Sequence, residues 1–400
     1  MRFSAPPSIF ARMTALAQAH QALNLAQGLM WLEPDPRLLQ LAAAQLRQPG
    51  DHHQYSFPAG YLPLRSQVAA LSERFFGVSY DPHTEITLVV GATEGLFAAI
   101  LALTTPGGEA LFVEPAYDSY LPAFRLAGLQ ARSISIPLQL PWSFPWDRLE
   151  EALSPATQLL LLNFPHNPTG LCLRRTDLPR LEAIAERFPQ LYFVVDEAYE
   201  LMSWHPDWRR EEECAPVSVR QSPLLRQRAV IVGSLGKMVG ATGWRLGYVA
   251  APAALTEAIR AVHQFIPFCA ATPLQAVVAA YLAEDLDRAR YFHNSLLQRR
   301  RLFLERLVEG TSLEVLPPEG GYFVLVRPPG ATCGEVELAE ALTHQAKVAT
   351  IPLGPFYQSG EGGGWLRLCF ARPVELLEEA CERLSRVFPR VGASNDRRPG

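Results

Sequence analysis

The chain has 400 residues, a formal net charge of −4 and a pI near 6.2. Its 48% hydrophobic and 19% charged residues are those of a soluble globular protein, and its mild acidity excludes a basic footprint for nucleic acid. A chain this long exceeds what one hydrophobic core supports, so two domains are expected.

The N-terminal stretch MRFSAPPSIFARMTALAQAH lacks the long apolar core of a signal peptide. Within it, residues 8–19 predict an amphipathic helix, with Ser8 as N-cap and Ile9, Met13 and Leu16 at helical spacing. Over residues 85–250 short apolar runs alternate with helical stretches such as 95–103, 119–127 and 178–188. The strand candidates are EITLVV, ALFV, ARSISI, QLLLLN, YFVVD, AVIVG and LGYVA. That alternation predicts an α/β fold with a mostly parallel seven-stranded sheet flanked by helices. AVIVG and LGYVA are too close for a helical crossover, which makes that pair antiparallel. Beyond Pro273, LQAVVAAYLA and residues 285–308 read as long helices. SLEVLPPEGGYFVLV and GWLRLCFA read as strands, and residues 374–388 as a last helix.

The expected domains are a large one at 46–287 and a smaller α+β one at 288–390. Residues 1–45 form an arm and part of the small domain, and 391–400 a disordered tail. Cys172, Cys214, Cys269, Cys333, Cys369 and Cys381 include no C-x-x-C pair and read as buried thiols. No histidine spacing suggests a metal site, and no apolar run reaches the roughly 18 residues of a membrane span. A cytoplasmic protein without membrane or nucleic-acid partners is expected.

Four segments place unusual residues at strand ends, where open α/β sheets gather ligands. In VVGATEG (89–95) a strand runs through Gly-Ala-Thr into a helix, which offers free N–H groups; it also fits an ordinary turn. In LLNFPHNPTG (161–170) two prolines fix a turn that holds Asn163 and Asn167, either for a ligand or as backbone caps. In FVVDEAYE (193–200) Asp196 ends an apolar run, so it needs a cation or strong donors unless it caps the next helix. Tyr199 follows three residues later.

The fourth segment, SLGKMVGATGWRLGY (234–248), sets Lys237 among glycines with almost no other charge. A desolvated lysine there loses its ammonium form and becomes a nucleophile, whereas a solvated one would do nothing. Ser234 and Arg245 supply a hydroxyl and a forked cation for a phosphate. A lysine tether, a carboxylate for a pyridinium nitrogen, polar groups for a ring hydroxyl and a phosphate cradle together describe pyridoxal 5'-phosphate (PLP).

With these residues assembled, the sequence resembles the class I, fold type I, PLP-dependent aminotransferases over about residues 8–388. It resembles in particular their kynurenine and methionine aminotransferase branch. NLAQG, HQYSFPAGYLPLR, VGATEGLFAAI, EPAYDSY, FPHNPTG, VDEAYE, TGWRLGY, VHQF and RLCFA carry the likeness. The resemblance implies that Lys237 is the covalent tether and Asp196 the carboxylate under the ring nitrogen. Asn167 and Tyr199 then serve the ring hydroxyl, and Tyr117 stacks on the ring. Ala92, Thr93, Ser234 and Arg245 bind the phosphate, while Arg367 takes the substrate carboxylate with the Gly28 backbone and Asn167. It also implies a homodimer, with Tyr55 reaching the neighbour's phosphate and Phe268 crossing the interface.

The run Gly28-Leu29-Met30-Trp31 departs from the proline and acidic residue common at this place, and Cys269 and Ala271 replace more polar residues. Trp31 is either a wall of the substrate pocket or a packed aromatic. The expected activity is transfer of an amino group from an aromatic or sulfur-containing L-amino acid to a 2-oxo acid. The alternative is a carbon–sulfur β-lyase on cysteine conjugates.

Overall fold

The computed structural model describes residues 8–390 apart from 51–52, 211, 213, 331–333 and 361. Cys333 and the expected tail at 391–400 lie outside the described residues; the other five cysteines are free. Ser8 caps helix α1 (Ile9–Ala19), its Oγ accepting from the Ala11 N–H at 3.3 Å. The buried stripe is Ile9, Met13 and Ala17, with Leu16 only partly covered.

All seven predicted strands join one sheet. They are β1 (Ile86–Val90), β2 (Glu109–Glu114), β3 (Gln130–Ser135), β4 (Thr157–Asn163), β5 (Tyr192–Asp196), β6 (Ala229–Gly233) and β7 (Leu246–Ala250). Their spatial order is β1-β7-β6-β5-β4-β2-β3. The central runs are buried on both faces because helices cover both, which is why they read as unbroken apolar stretches. β7 is antiparallel to both neighbours, and every other pair is parallel. The short β6–β7 link dictates the first antiparallel pairing; chain order does not foretell the insertion beside β1. This insertion matters for the site. Running backwards, β7 brings its amino end, and Arg245 before it, to the edge where β1, β5 and β6 finish.

The smaller sheet is antiparallel and contains β8 (Glu314–Leu316), β9 (Phe323–Arg327), β10 (Ile351–Pro352) and β11 (Leu366–Cys369), in the order β10-β11-β9-β8. The helix expected over 285–308 is broken. Asp285 ends the helix Thr272–Glu284 and caps a 3₁₀ turn at Leu286–Arg290, and the next helix starts only at His293–Gly310. A two-residue parallel ladder, Leu23–Asn24 with Val348–Ala349, is too short to leave a periodic signal. It seats residues 25–31 beside β11, where Leu25 O accepts from Cys369 N–H and Trp31 N–H donates to Ala371 O.

Candidate active site

A cleft of about 480 Å³ lies between the carboxyl edge of the large sheet and the face of the small one. That size suits a small-molecule site. β6 delivers Lys237 to it: the strand ends at Gly233, and Ser234 Oγ accepts from the Lys237 N–H at 3.4 Å, capping the short turn Leu235–Met238. Lys237 Nζ sits 4.2 Å from the centre of the Tyr199 ring. Burial pushes its pKa down to about 8; Asp196 opposes the shift, and Arg245 and Arg367 add to it. Only two lysines occur in the chain, Lys237 and Lys347.

An amine with a pKa near 8 is about one-quarter neutral at pH 7.5, against about one part in a thousand for a lysine in water. Lowering the pKa of a lysine makes the nucleophilic form available above that lower value. In the PLP-free protein, labelling of Lys237 by an amine-selective reagent is therefore expected to rise through pH 8 and then level off. Mass-spectrometric labelling that keeps rising towards pH 10.4, as for a lysine in water, would contradict this environment.

Asp196 closes β5 and is buried. Its Oδ1 accepts from the Ala198 N–H at 3.1 Å and its Oδ2 from the Tyr120 hydroxyl at 2.7 Å. One oxygen thus caps the following turn while the other belongs to a side-chain pair. Burial raises its pKa, and Lys237, Tyr120 and Ala198 oppose the rise. Tyr120 escaped the sequence reading. The available signal was its place one helical turn after Tyr117, whose ring lies 5.8 Å away. The alternatives for the two asparagines separate. Asn163 is a structural link, donating to Asp196 O at 2.7 Å and accepting from Asn167 N–H at 2.7 Å. The Asn167 side chain instead reaches across the cleft to Arg367.

Arg367 lies on β11 with 1% of its surface exposed. Its Nη1 donates to Asn167 Oδ1 at 2.8 Å and its Nη2 to Ala26 O at 2.9 Å, while Nε is buried without a partner. No carboxylate among the described residues pairs with it. The Phe323 and Phe10 rings flank the guanidinium at 4.0 and 5.1 Å. Phe10 comes from α1 and was also missed, since nothing in an amphipathic helix marks which residue will meet a distant strand. A buried guanidinium with an orphaned N–H is costly unless an anion completes it.

The fourth wall is the first turn of the helix Gly91–Leu103, with Ala92 and Thr93 facing the cleft. Gly91 has a φ of +71°, and a Cβ there would lie 2.6 Å from Arg245 Nη2. Arg245 itself takes the left-handed conformation, φ +55°. The guanidinium therefore lies against free helix N–H groups, an arrangement that attracts an anion. Glu94, in the same turn, is turned away: its carboxylate accepts from Val90 N–H and meets His263.

A buried lysine with a lowered pKa, a hydrogen-bonded carboxylate, an anion cradle and a second guanidinium with an orphaned N–H converge in one cleft. Residues 20–384 match the family model of class I and II aminotransferases. The chain belongs to this family. It is a PLP-dependent aminotransferase, and the cleft fits the cofactor: the cradle at Gly91 and Arg245 suits its phosphate, and Lys237 and Asp196 stand together beside it. The aminotransferase is 37% identical over 386 residues to a methionine aminotransferase of Escherichia coli, covering 95% of this chain and 96% of that one. The solved structure of that activity from Escherichia coli superposes with a TM-score of 0.88 at 35% identity, covering 96% and 99% of the two chains. An N-succinyldiaminopimelate aminotransferase structure from Mycobacterium tuberculosis gives 0.88 at 34%, covering 95% and 97%. A kynurenine–oxoglutarate transaminase of Dictyostelium discoideum is 28% identical over 385 residues, covering 88% and 86%.

Three residues singled out in the sequence do not line this aminotransferase's cleft within one chain. Tyr55, 82% exposed, packs edge-on against Phe268 at 5.4 Å, with Phe57 and Phe265 also exposed. Trp31 is 60% exposed, and Arg372 lies 5.7 Å from its ring. In the single chain, Trp31 is neither a wall of the cleft nor a packed aromatic.

Proposed function

We propose that this aminotransferase moves the amino group of an L-amino acid with an aromatic or sulfur-containing side chain onto a 2-oxo acid. The surroundings of Arg367 carry the reading. A substrate carboxylate can complete the guanidinium, while an apolar side chain lies against Phe10, Phe323, Tyr117 and Leu29. Similarity to a methionine aminotransferase and to a kynurenine–oxoglutarate transaminase supports the same substrate class.

When bound, PLP supplies an aldehyde for amine exchange and a ring that accepts electrons. Lys237 is its tether. As a free amine, Lys237 Nζ would take the proton from the substrate α-carbon, a task suited to a group whose pKa is about 8. Asp196, kept in place by Tyr120 and the Ala198 N–H, would hold the proton on the ring nitrogen. Asn167 and Tyr199 would serve the ring hydroxyl and Tyr117 the ring face. Ala92, Thr93, Ser234 and Arg245 would take the phosphate. Arg367, Asn167 and the Gly28 backbone orient the substrate carboxylate.

Residues 46–287 then form the unit that holds the cofactor, in keeping with the seven-stranded sheet. Residues 288–390, with the arm 1–45, form the unit that supplies Arg367, in keeping with the small sheet and the ladder at Leu23–Asn24. We also infer a cytoplasmic setting, supported by five described cysteines that are free thiols. Among the described residues no helix is long and apolar enough to cross a membrane.

The same reading makes the enzyme a homodimer with shared sites. Tyr55, Phe57, Phe265 and Phe268 are an exposed aromatic patch that a second chain would cover. Tyr55 then reaches the neighbour's phosphate, with Phe268 and Trp31 on the substrate side. Tyr55→Ala and Lys237→Ala chains, each inactive alone, are expected to regain activity when co-expressed, because some heterodimers hold one intact site. Heterodimers isolated without activity would overturn the sharing.

A panel of amino acids, each mixed with the PLP form, tests the function. Aromatic and sulfur-containing donors are expected to change the cofactor's visible absorbance fastest and to yield their oxo acids. Preference for acidic donors would refute the substrate class. Pyruvate and ammonia released without an acceptor would favour β-elimination instead.

A further inference from the structure

Arg372 follows β11 and has no exposed surface, yet it meets no carboxylate among the described residues. Its donors go to backbone carbonyls, with Nη1 also donating to Cys369 Sγ at 3.5 Å. Nε donates to Asn24 O at 2.9 Å, Nη2 to Gln27 O at 2.6 Å, and Nη1 to Leu29 O and to Ala371 O. The carbonyls between them are also held from the small sheet: Ala26 O by Arg367 Nη2, and Gly28 O by the Tyr322 hydroxyl at 2.9 Å. Asn24 Oδ1 accepts from the Ala26 and Gln27 N–H groups at 3.0 and 3.2 Å. The Gly28 N–H has no partner among the described residues. Gly28 borders the cleft beside Arg367, and a Cβ there would lie 2.8 Å from the Phe323 ring.

We propose that Arg372 is a positioning residue for the substrate carboxylate: it clamps residues 24–29 so that the Gly28 N–H is presented next to Arg367. This rests on the proposed function, in which Arg367 and Gly28 receive that carboxylate. Burying a guanidinium without a carboxylate, against carbonyls, the Cys369 thiol and the Trp31 ring, is costly, and packing alone would be served by an apolar side chain. The forked geometry does what an ammonium cannot, holding the Gln27 and Leu29 carbonyls at once. Arg372 touches neither substrate nor cofactor, so its influence should appear in recognition of the carboxylate and not in the proton transfer at Lys237.

Arg372→Gln and Arg372→Lys, compared with the unsubstituted PLP-loaded enzyme, test this. In Arg372→Gln, KM for an aromatic L-amino acid is expected to rise about tenfold or more, with kcat changed by less than about threefold. The dissociation constant of the unreactive 3-phenylpropanoate should rise in parallel, and 2-phenylethylamine, which lacks the carboxylate, should react with the PLP form at an unchanged rate. Backbone hydrogen exchange over residues 24–31 should accelerate while PLP content stays the same. Arg372→Lys should recover part of the loss, and it carries the test if the glutamine variant does not fold. Equal losses for amine and amino acid, or an unchanged KM with accelerated exchange, would overturn the proposal. An unsubstituted enzyme that fails to transaminate any amino acid would instead refute the proposed function.

Discussion

Lys237→Ala is expected to abolish turnover, with a loss of about four or more orders of magnitude. Two roles vanish together: the tether to the cofactor and the base at the substrate α-carbon. No other lysine can substitute, since the second one, Lys347, directly precedes the Val348–Ala349 strand and does not line the cleft. The cradle at Gly91, Ala92 and Arg245 does not depend on Lys237, so the variant should still bind PLP, now removable by dialysis. Cofactor absorbance before and after dialysis, with single-turnover rates on an aromatic amino acid, checks both statements. Retention of even one-hundredth of the wild-type rate would remove Lys237 from the chemistry.

Asp196→Asn is expected to keep PLP but slow the half-reaction by about 10²–10³-fold, the range seen when one preorganised charge at a reacting centre is lost. The amide preserves shape and its oxygen can still accept from the Ala198 N–H, while the NH₂ in place of Oδ2 can only donate, so that the Tyr120 hydroxyl must turn to accept from it. What it lacks is the negative charge that keeps a proton on the ring nitrogen. Tyr120→Phe should act in the same direction and more weakly, by about tenfold, because one hydrogen bond is lost and the charge stays. Stopped-flow absorbance of the PLP form with saturating donor measures both. A near-normal rate in Asp196→Asn would show that the carboxylate only caps the turn before Ala198.

The large sheet was legible because a strand buried on both faces leaves a run such as LLLL or FVV that little else in a soluble chain imitates. Lys237 was legible for a related reason, a lone cation amid glycine where the flanks offer no solvent-facing company. The two-residue ladder at Leu23–Asn24 was not, since two residues have no period. The helix break at Asp285 was hidden because helical spacing continues on both sides of a single capping aspartate. Site residues divided in the same way. Asp196 and Arg367 announce themselves as charges in apolar strands. Tyr120, Phe10 and Arg372 act through partners 76, 357 and up to 348 residues away, and only the fold brings those together. Tyr55, Phe268 and Trp31 remain unexplained by one chain, which is what a site shared with a second chain would leave behind.

The most direct measurement is borohydride reduction of the PLP-loaded enzyme followed by peptide mapping, since only two lysines can carry the label. The pyridoxyl group is expected on Lys237 alone, and prior addition of an aromatic or sulfur-containing amino acid should prevent it by freeing that amine. Label on Lys347, or labelling of Lys237 that excess donor does not reduce, would contradict the assignment of this cleft as the site of amino-group transfer.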